Sequence, residues 1–110
     1  MKNAITAGSG NVFADIGLPD AEDRLAKAQL AYKISEIIKE RRLSQSEAAE
    51  ILGTEQPKIS AIMNGKLAGF SLERLINFLN ILGRDVQIVF KPKSPRRKSP
   101  ALKVVIANLR

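Results

Sequence analysis

Apolar residues recur at helical intervals over residues 20–42. Side chains spaced by three, four or seven residues share one face of a helix, which a core then covers. The pattern predicts one long first helix, with Asp20 as its N-cap after Pro19. The positions expected on its buried face are Leu30, Ile34, Ile37, Ile38 and Arg41 and, on a weaker pattern, Leu25 and Tyr32.

Two shorter helices joined by a tight turn are predicted over residues 45–64. Ser44 followed by Glu47 is a capping box that opens the first of them. Gly53 suits the corner because glycine adopts positive φ readily, and Thr54 is the expected N-cap of the next helix, with Pro57 tolerated in its first turn. The expected core residues are Ala48, Ala49, Ile51, Leu52, Ile59 and Ile62. This spacing is typical of a helix-turn-helix, whose second helix, here about 55–63, enters the major groove of DNA.

A further helix and a β-strand follow. Ser71 is the expected cap of a helix over 71–83, and glycines at Gly65 and Gly83 suit the ends of the last two helices. The apolar face of this helix carries Leu72, Leu75, Ile76, Leu79 and Leu82. Residues 85–90 alternate, with Val86, Ile88 and Phe90 on one side, and predict one strand. An isolated strand leaves its backbone groups unpaired, so we expect it to pair with the same strand of a second subunit in a homodimer.

The positive charge of the chain is concentrated at its C-terminal end. The formal net charge is +7, and residues 84–110 hold eight basic residues and one acid, so that 8 − 1 = +7 and the rest of the chain is balanced. Such a distribution favours a polyanionic partner; a solvated tail that only aids solubility is the alternative.

The chain is therefore predicted to have three parts. They are an N-terminal arm over 1–18, a domain over 19–91 that includes the dimerising strand, and a basic, flexible tail over 92–110. Within the arm, residues 12–16 form a short extended segment on this interpretation. The end of the tail, from Leu102, either adds a short strand or stays disordered.

Composition excludes several classes of chemistry. The chain has no Cys and no His, which removes disulfides, thiolate and imidazole catalysis and the usual zinc ligands. Glutamate pairs occur at helical spacing, but each lies beside Lys or Arg on a predicted surface face, and the glycines form no phosphate-binding motif. We therefore expect no enzyme, no cofactor and no metal. No apolar run reaches the ~20 residues of a membrane span and no signal peptide is evident, so a cytoplasmic protein is expected.

The segment LSQSEAAEILGTEQPKISAIMNGK (43–66) resembles the helix-turn-helix of the XRE family, the phage-repressor and Cro-like regulators. NVFADIGLPDAEDRLAKA, GKLAGFSLERL and LGRDVQIVFKP extend the resemblance over about 11–92, towards the HigA-like antitoxin branch. The resemblance implies a mainly α, lambda-repressor-like helix-turn-helix bundle of four to five helices with one C-terminal β-strand. It also implies a homodimer that represses its own promoter and binds a RelE/HigB-like toxin.

Helical geometry and the resemblance together predict the DNA contacts. With Ile59, Ile62 and Met63 turned inward, the outer face of the second helix carries Gln56, Pro57, Lys58, Ser60, Ala61 and Asn64. In XRE-like regulators the base-reading positions correspond to Gln56, Pro57 and Ala61. Gln56 can form two hydrogen bonds with adenine, and Ala61 can contact a thymine methyl group. Pro57 departs from the polar residue usual at its position, so it would read DNA by shape or apolar contact. The phosphate contacts expected are Ser44, Gln45, Lys58, Lys66 and Ser71.

Other interpretations of these residues stay open. Gln56 and Lys58 are, on the alternative, ordinary solvated surface. Arg41 and Arg42 reach phosphate or bridge a nearby glutamate, among Glu36, Glu40 and Glu47. For the whole chain, the candidates are a sequence-specific repressor of a double-stranded operator, a toxin-neutralising protein, or both, against a stand-alone repressor or a nonspecific nucleic-acid binder that uses the basic tail.

Overall fold

The computed structural model describes residues 3–6, 20–91 and 101–108. In chain order these form β1 (Asn3–Thr6), α1 (Asp20–Glu40), α2 (Gln45–Leu52), α3 (Gln56–Met63), α4 (Leu72–Ile81), β2 (Arg84–Lys91) and β3 (Ala101–Asn108). The extended segment predicted at 12–16 and the linker at 92–100 lie outside the described residues. Residues 101–108 form a strand, which is one of the two alternatives that the sequence left open for the end of the basic tail.

The long first helix is confirmed, and it ends by a left-handed turn. Leu30, Ile34, Ile37 and Ile38 are fully buried as expected. After Glu40, Arg42 takes a φ of 56°, and the backbone N–H of Leu43 donates to the Ile38 carbonyl at 3.0 Å. This bond, with the one from Arg42 N–H to the Lys39 carbonyl, closes the last turn of α1.

Other positions predicted on the buried face of α1 are exposed. Tyr32 is 72% exposed and Leu25 is 49% exposed, so neither belongs to the core. Arg41 is also exposed, and its guanidinium donates to the backbone carbonyl of Leu82 at 2.7 Å. Arg41 therefore binds the C-terminal end of α4 here, rather than a glutamate.

One hydrophobic core joins the four helices and the sheet. The predicted apolar face of α4 is buried at all five positions, from Leu72 to Leu82. Two aromatic residues that the sequence pattern did not single out, Phe70 and Phe78, are buried with them. The assignment of Ile51 to the core is wrong, because its side chain is 45% exposed on the outer side of α2.

The predicted strand is the centre of a three-stranded sheet of order β1-β2-β3. β2 pairs antiparallel with β1 from Asn3 opposite Phe90 to Thr6 opposite Gln87. It pairs antiparallel with β3 along its whole length, from Arg84 opposite Asn108 to Lys91 opposite Ala101. The prediction of one lone strand is therefore wrong, because both partners come from the two ends of the same chain.

This arrangement also corrects the residues assigned to the dimer strand. Val86 and Ile88 have no exposed surface and face the helices of their own chain, where β2 packs on α4. Phe90 pairs through its backbone with Asn3 and Leu102. The argument that β2 must find its partner in a second subunit no longer holds, since the first subunit supplies two.

Candidate nucleic-acid interface

The corner between α2 and α3 has the geometry that the sequence predicted. Gly53 lies in the left-handed region with φ 67° and ψ 36°. Its N–H donates to the Glu50 carbonyl at 3.3 Å, and the N–H of Thr54 donates to the Ala49 carbonyl at 2.9 Å. The predicted N-cap at Thr54 is wrong by one residue: Glu55 occupies the cap position, in an extended conformation and without a side-chain capping bond.

Buried residues on one side of α3 set which way its other side faces. Ile59 and Ile62 are buried beside Leu52 of α2, as the sequence predicted. Because residues three or four apart share a helix face, Gln56, Pro57 and Lys58 are left exposed. Ala61 is half-buried against the core, so it presents less surface than the other two base-reading candidates.

The amide of Gln56 is held by two residues of α2. The Ser46 hydroxyl donates to Gln56 Oε1 at 3.1 Å, and Gln56 Nε2 donates to Gln45 Oε1 at 3.5 Å. Gln45 Nε2 in turn contacts the Met63 sulfur at 3.9 Å. An amide oxygen accepts two hydrogen bonds and an amide nitrogen donates two, so one of each remains for a ligand.

Both serines predicted at helix starts act as N-caps. Ser44 Oγ accepts from the Glu47 N–H at 3.0 Å, while the Glu47 carboxylate accepts from the Ser44 N–H at 2.8 Å, which completes the predicted capping box. Ser71 Oγ accepts from the Arg74 N–H at 3.1 Å. In both caps the hydroxyl oxygen is the acceptor, so each hydroxyl proton remains for donation to an anion.

Two cationic side chains, one on α3 and one on α4, lie over aromatic rings. The Lys58 ammonium lies 5.6 Å from the centroid of the Phe70 ring. Arg74 lies 5.5 Å over the Phe78 ring and donates to the Thr54 hydroxyl at 3.2 Å, at the turn itself. Contacts of this kind hold a cation in place while leaving its charge available. Lys66, after α3, is exposed.

Sequence reasoning missed two residues of this surface, Ser46 and Arg74. Their contacts join positions 10 and 20 residues apart. Arg74 had a local signal, since it is a basic residue in the first turn after the Ser71 cap. Ser46 had none, because its neighbour Gln56 lies beyond the turn.

Among the described residues, no group of three or more acidic, His or Cys residues is arranged to hold a metal ion. No helix in this part of the chain has both the length and the apolar character needed to cross a bilayer.

Two short helices that meet at a left-handed glycine, with the second helix exposed, define a helix-turn-helix unit of the DNA-binding class. Comparison with known proteins supports the same assignment. A family model described as a helix-turn-helix domain matches residues 12–91. A solved structure whose name places it in the XRE family of transcriptional regulators is 49% identical, with a TM-score of 0.69 over 79% of this chain and 98% of that one. No curated protein gives a significant match.

The chain therefore belongs to the helix-turn-helix regulators of the XRE family. The predicted fold class and the prediction of a DNA-binding regulator rather than an enzyme are confirmed at this level. The antitoxin branch, the homodimer and the individual DNA contacts are finer assignments that these comparisons leave as predictions.

Proposed function

We propose that this protein is a sequence-specific repressor that reads a DNA operator with α3, acting as a dimer on two half-sites. The supporting observation is the orientation of the Gln56 amide by Ser46 and Gln45 on the exposed side of α3. A side chain already held in one arrangement loses less freedom on binding. Its remaining donor and acceptor match adenine N7 and N6, the pairing that distinguishes adenine in the major groove.

The phosphate contacts come from Lys58 on α3 itself and from residues on either side of this helix. Lys58 and Lys66 supply charge, and the N-terminal ends of α2 and α4, with Gln45, Ser44 and Ser71, supply N–H and hydroxyl donors. Contacts of this type place the protein on the duplex without reading sequence. Pro57 and Ala61 complete the base-reading face through apolar and shape contacts, Ala61 with its smaller exposed area.

The proposal is tested by two substitutions with different expected effects. Gln56→Ala should cost about 1–3 kcal/mol at one base pair of the preferred site and relax the choice at that position. Lys58→Ala should weaken binding to all sequences alike. It should also reduce the slope of log affinity against log salt concentration by about 1 in magnitude. Selection from a randomised duplex pool, followed by affinity measurements over a salt series, separates the two. Gln29→Ala, an exposed glutamine on α1, is the matched control.

The competing function is nonspecific nucleic-acid binding through the basic linker. Replacing Lys93, Arg96, Arg97 and Lys98 with glutamine removes its charge without deleting β3. If this variant loses all DNA binding while Gln56→Ala leaves the selected sequence unchanged, the repressor proposal is wrong and the nonspecific one replaces it. A repressor reading through α3 keeps its sequence preference in the linker variant, with lower overall affinity.

A second function, toxin neutralisation, is supported by the exposed face of α1. Leu25, Ala28 and Tyr32 share this face, and two of them are large apolar side chains in solvent. Beside them runs a groove of about 430 Å³ between α1 and the loop after α3, lined in part by Met63 and Leu67. An apolar groove with exposed anchors is typical of protein-binding surfaces. We propose that a RelE/HigB-like toxin binds here.

Co-expression with the product of the adjacent gene tests this second proposal. A small basic toxin should co-purify with the native chain, and Tyr32→Ala should weaken the complex at least tenfold in a titration. Gln29→Ala, on the same helix but outside the groove, should bind as the native chain does. A toxin that binds Tyr32→Ala with native affinity would show that this face is not the binding surface.

A further inference from the structure

The residue at which α3 begins gives this helix no side-chain cap. Glu55 occupies the N-cap position with φ −101° and ψ 152°, and its side chain forms no capping bond. By contrast, α2 and α4 begin at Ser44 and Ser71, whose hydroxyl oxygens accept from N–H groups of their helices. Glutamate is not among the residues that cap a helix well, so helix stability does not explain its presence here. Departures from such local rules are expected at functional positions.

The backbone of Glu55 is fixed, whereas its exposed carboxylate forms no ion pair in the part of the chain that the structure describes. Its carbonyl accepts from the N–H of Lys58 at 2.9 Å. Lys58 lies at a spacing at which ion pairs form on helices, yet its ammonium lies over the Phe70 ring instead. The other cation near the turn, Arg74, donates to the Thr54 hydroxyl. The negative charge of Glu55 is therefore available to a ligand of α3.

A carboxylate at the start of a DNA-reading helix opposes binding unless it meets a hydrogen-bond donor. Like the phosphate oxygens of DNA, an ionised carboxylate only accepts hydrogen bonds, and the two negative charges repel each other. The donors in the major groove are the amino groups of cytosine and adenine. Adenine also presents its N7 acceptor beside the amino group, whereas cytosine presents the amino group alone. Cytosine is therefore the base that suits Glu55.

We infer that Glu55 is a specificity-determining residue that accepts a hydrogen bond from the N4 amino group of a cytosine. The inference rests on the repressor proposed above and adds a second base pair to the one that Gln56 reads. Consecutive Cα atoms are about 3.8 Å apart, and successive base pairs are about 3.4 Å apart, so these two residues reach adjacent base pairs. The operator therefore has a cytosine, on either strand, in the base pair next to the adenine that Gln56 reads.

Glu55 acts chiefly by rejecting other sequences. Where no amino group faces it, the carboxylate loses its water on binding, gains no partner and stays close to phosphate charge. Lys58 and Lys66 attract any duplex, because phosphate contacts are independent of sequence. An anion on the same surface lowers the affinity for unmatched sites more than for matched ones, and so raises the ratio between them.

The first test is selection from a randomised duplex pool with the native chain and three variants. The native chain should prefer cytosine about tenfold over the other bases at one position. Glu55→Ala should bind all four bases at that position alike. Glu55→Gln should change the preference to adenine, because a glutamine amide pairs with adenine N6 and N7. Glu40→Gln, at an exposed glutamate on α1, removes the same charge and should keep the preference for cytosine.

The second test removes the hydrogen-bond donor from the DNA. A duplex of the selected sequence is made with 2-pyrimidinone, a base that lacks the 4-amino group, in place of this cytosine. The native chain should bind this duplex about tenfold more weakly than the unmodified one, whereas Glu55→Ala should bind the two alike. Comparing both proteins on both duplexes isolates the one contact, because any change in the duplex itself affects both proteins. Circular dichroism checks that the variants are folded.

A native chain that selects no cytosine next to the position read by Gln56 overturns the inference. So does a Glu55→Ala variant that keeps the cytosine and binds every duplex more tightly by one factor, because the carboxylate then only repels phosphate. An equal loss of affinity by both proteins on the 2-pyrimidinone duplex has the same meaning. These results differ from failure of the repressor proposal, in which Gln56→Ala also leaves the selected sequence unchanged.

Discussion

At the scale of single residues, two helices end with a residue of positive φ, which is glycine in one case and arginine in the other. Gly53 ends α2 with φ 67°, and Arg42 follows α1 with φ 56°. At each site the next N–H bonds to the carbonyl five residues back. A residue with a Cβ is strained by about 1–2 kcal/mol in this conformation, whereas glycine is not.

Gly53→Ala should therefore lower the free energy of unfolding by about 1 kcal/mol. Apart from its two neighbours in the chain, no described residue has an atom within 4 Å of the position that the new Cβ would occupy, so the cost is conformational rather than steric. Urea unfolding followed by circular dichroism measures it. A much larger loss would mean that the turn itself rearranges.

Arg42→Gly should have the opposite sign and raise the free energy of unfolding by about 1 kcal/mol, because it relieves the strain of positive φ. The same urea titration measures it. A less stable variant would show that contacts of the Arg42 side chain outweigh the backbone strain.

At the scale of elements, α2 depends on its N-terminal cap. It has only eight residues, and helices this short are unstable in isolation. The two reciprocal bonds between Ser44 and Glu47 satisfy N–H groups that have no partner inside the helix. The cap also fixes the start of the helix that positions Gln45 and Ser46 against Gln56.

Ser44→Ala should cost about 1 kcal/mol of stability, since the cap is lost and an N–H group is left to water. Ser46→Ala, the same change two residues later, should leave stability within about 0.5 kcal/mol. Ser46→Ala should instead reduce the discrimination that Gln56 provides. Thermal unfolding and duplex selection on both variants check this, and equal destabilisation by the two would contradict the assignment.

At the scale of the whole molecule, the sheet and the helices form one structure with one core. Val86 and Ile88 of β2 are completely buried against the helices, and β2 is itself held by strands from both ends of the chain. Loss of sheet packing should therefore weaken the helix-turn-helix as well. Small domains with one core generally unfold in a single transition.

Ile88→Ala should cost about 2–5 kcal/mol and lower the midpoint of helix unfolding, because it leaves a cavity where the sheet meets the helices. Val89→Ala is the control. Val89 is half-buried on the outer face of the sheet, so its substitution should cost less. Circular dichroism at a helix wavelength is the measurement. A helix transition unmoved by Ile88→Ala would mean that the sheet unfolds separately.

The helices and the orientation of α3 were predictable, because both depend on residues close together in the chain. The buried faces of α1 and α4, the capping box at Ser44 and the corner at Gly53 are local patterns. Given helix periodicity, burial of Ile59 and Ile62 leaves Gln56 and Lys58 outside. Ile51 was misassigned because a short helix has apolar residues on two faces and periodicity alone does not choose between them.

By itself, the sequence determined the four helices, the N-caps of α2 and α4, the central strand and the exposed face of α3. In each case the deciding interactions span a few residues, through hydrogen bonds at fixed spacing or the period of a helix or strand. Only the tertiary structure decided where β2 finds its partners, that Ser46 holds Gln56, and that Arg74 reaches Thr54. These contacts join residues from 10 to more than 80 positions apart. The spacing of residues along the chain does not predict them, because such residues become neighbours only when the elements pack around the core.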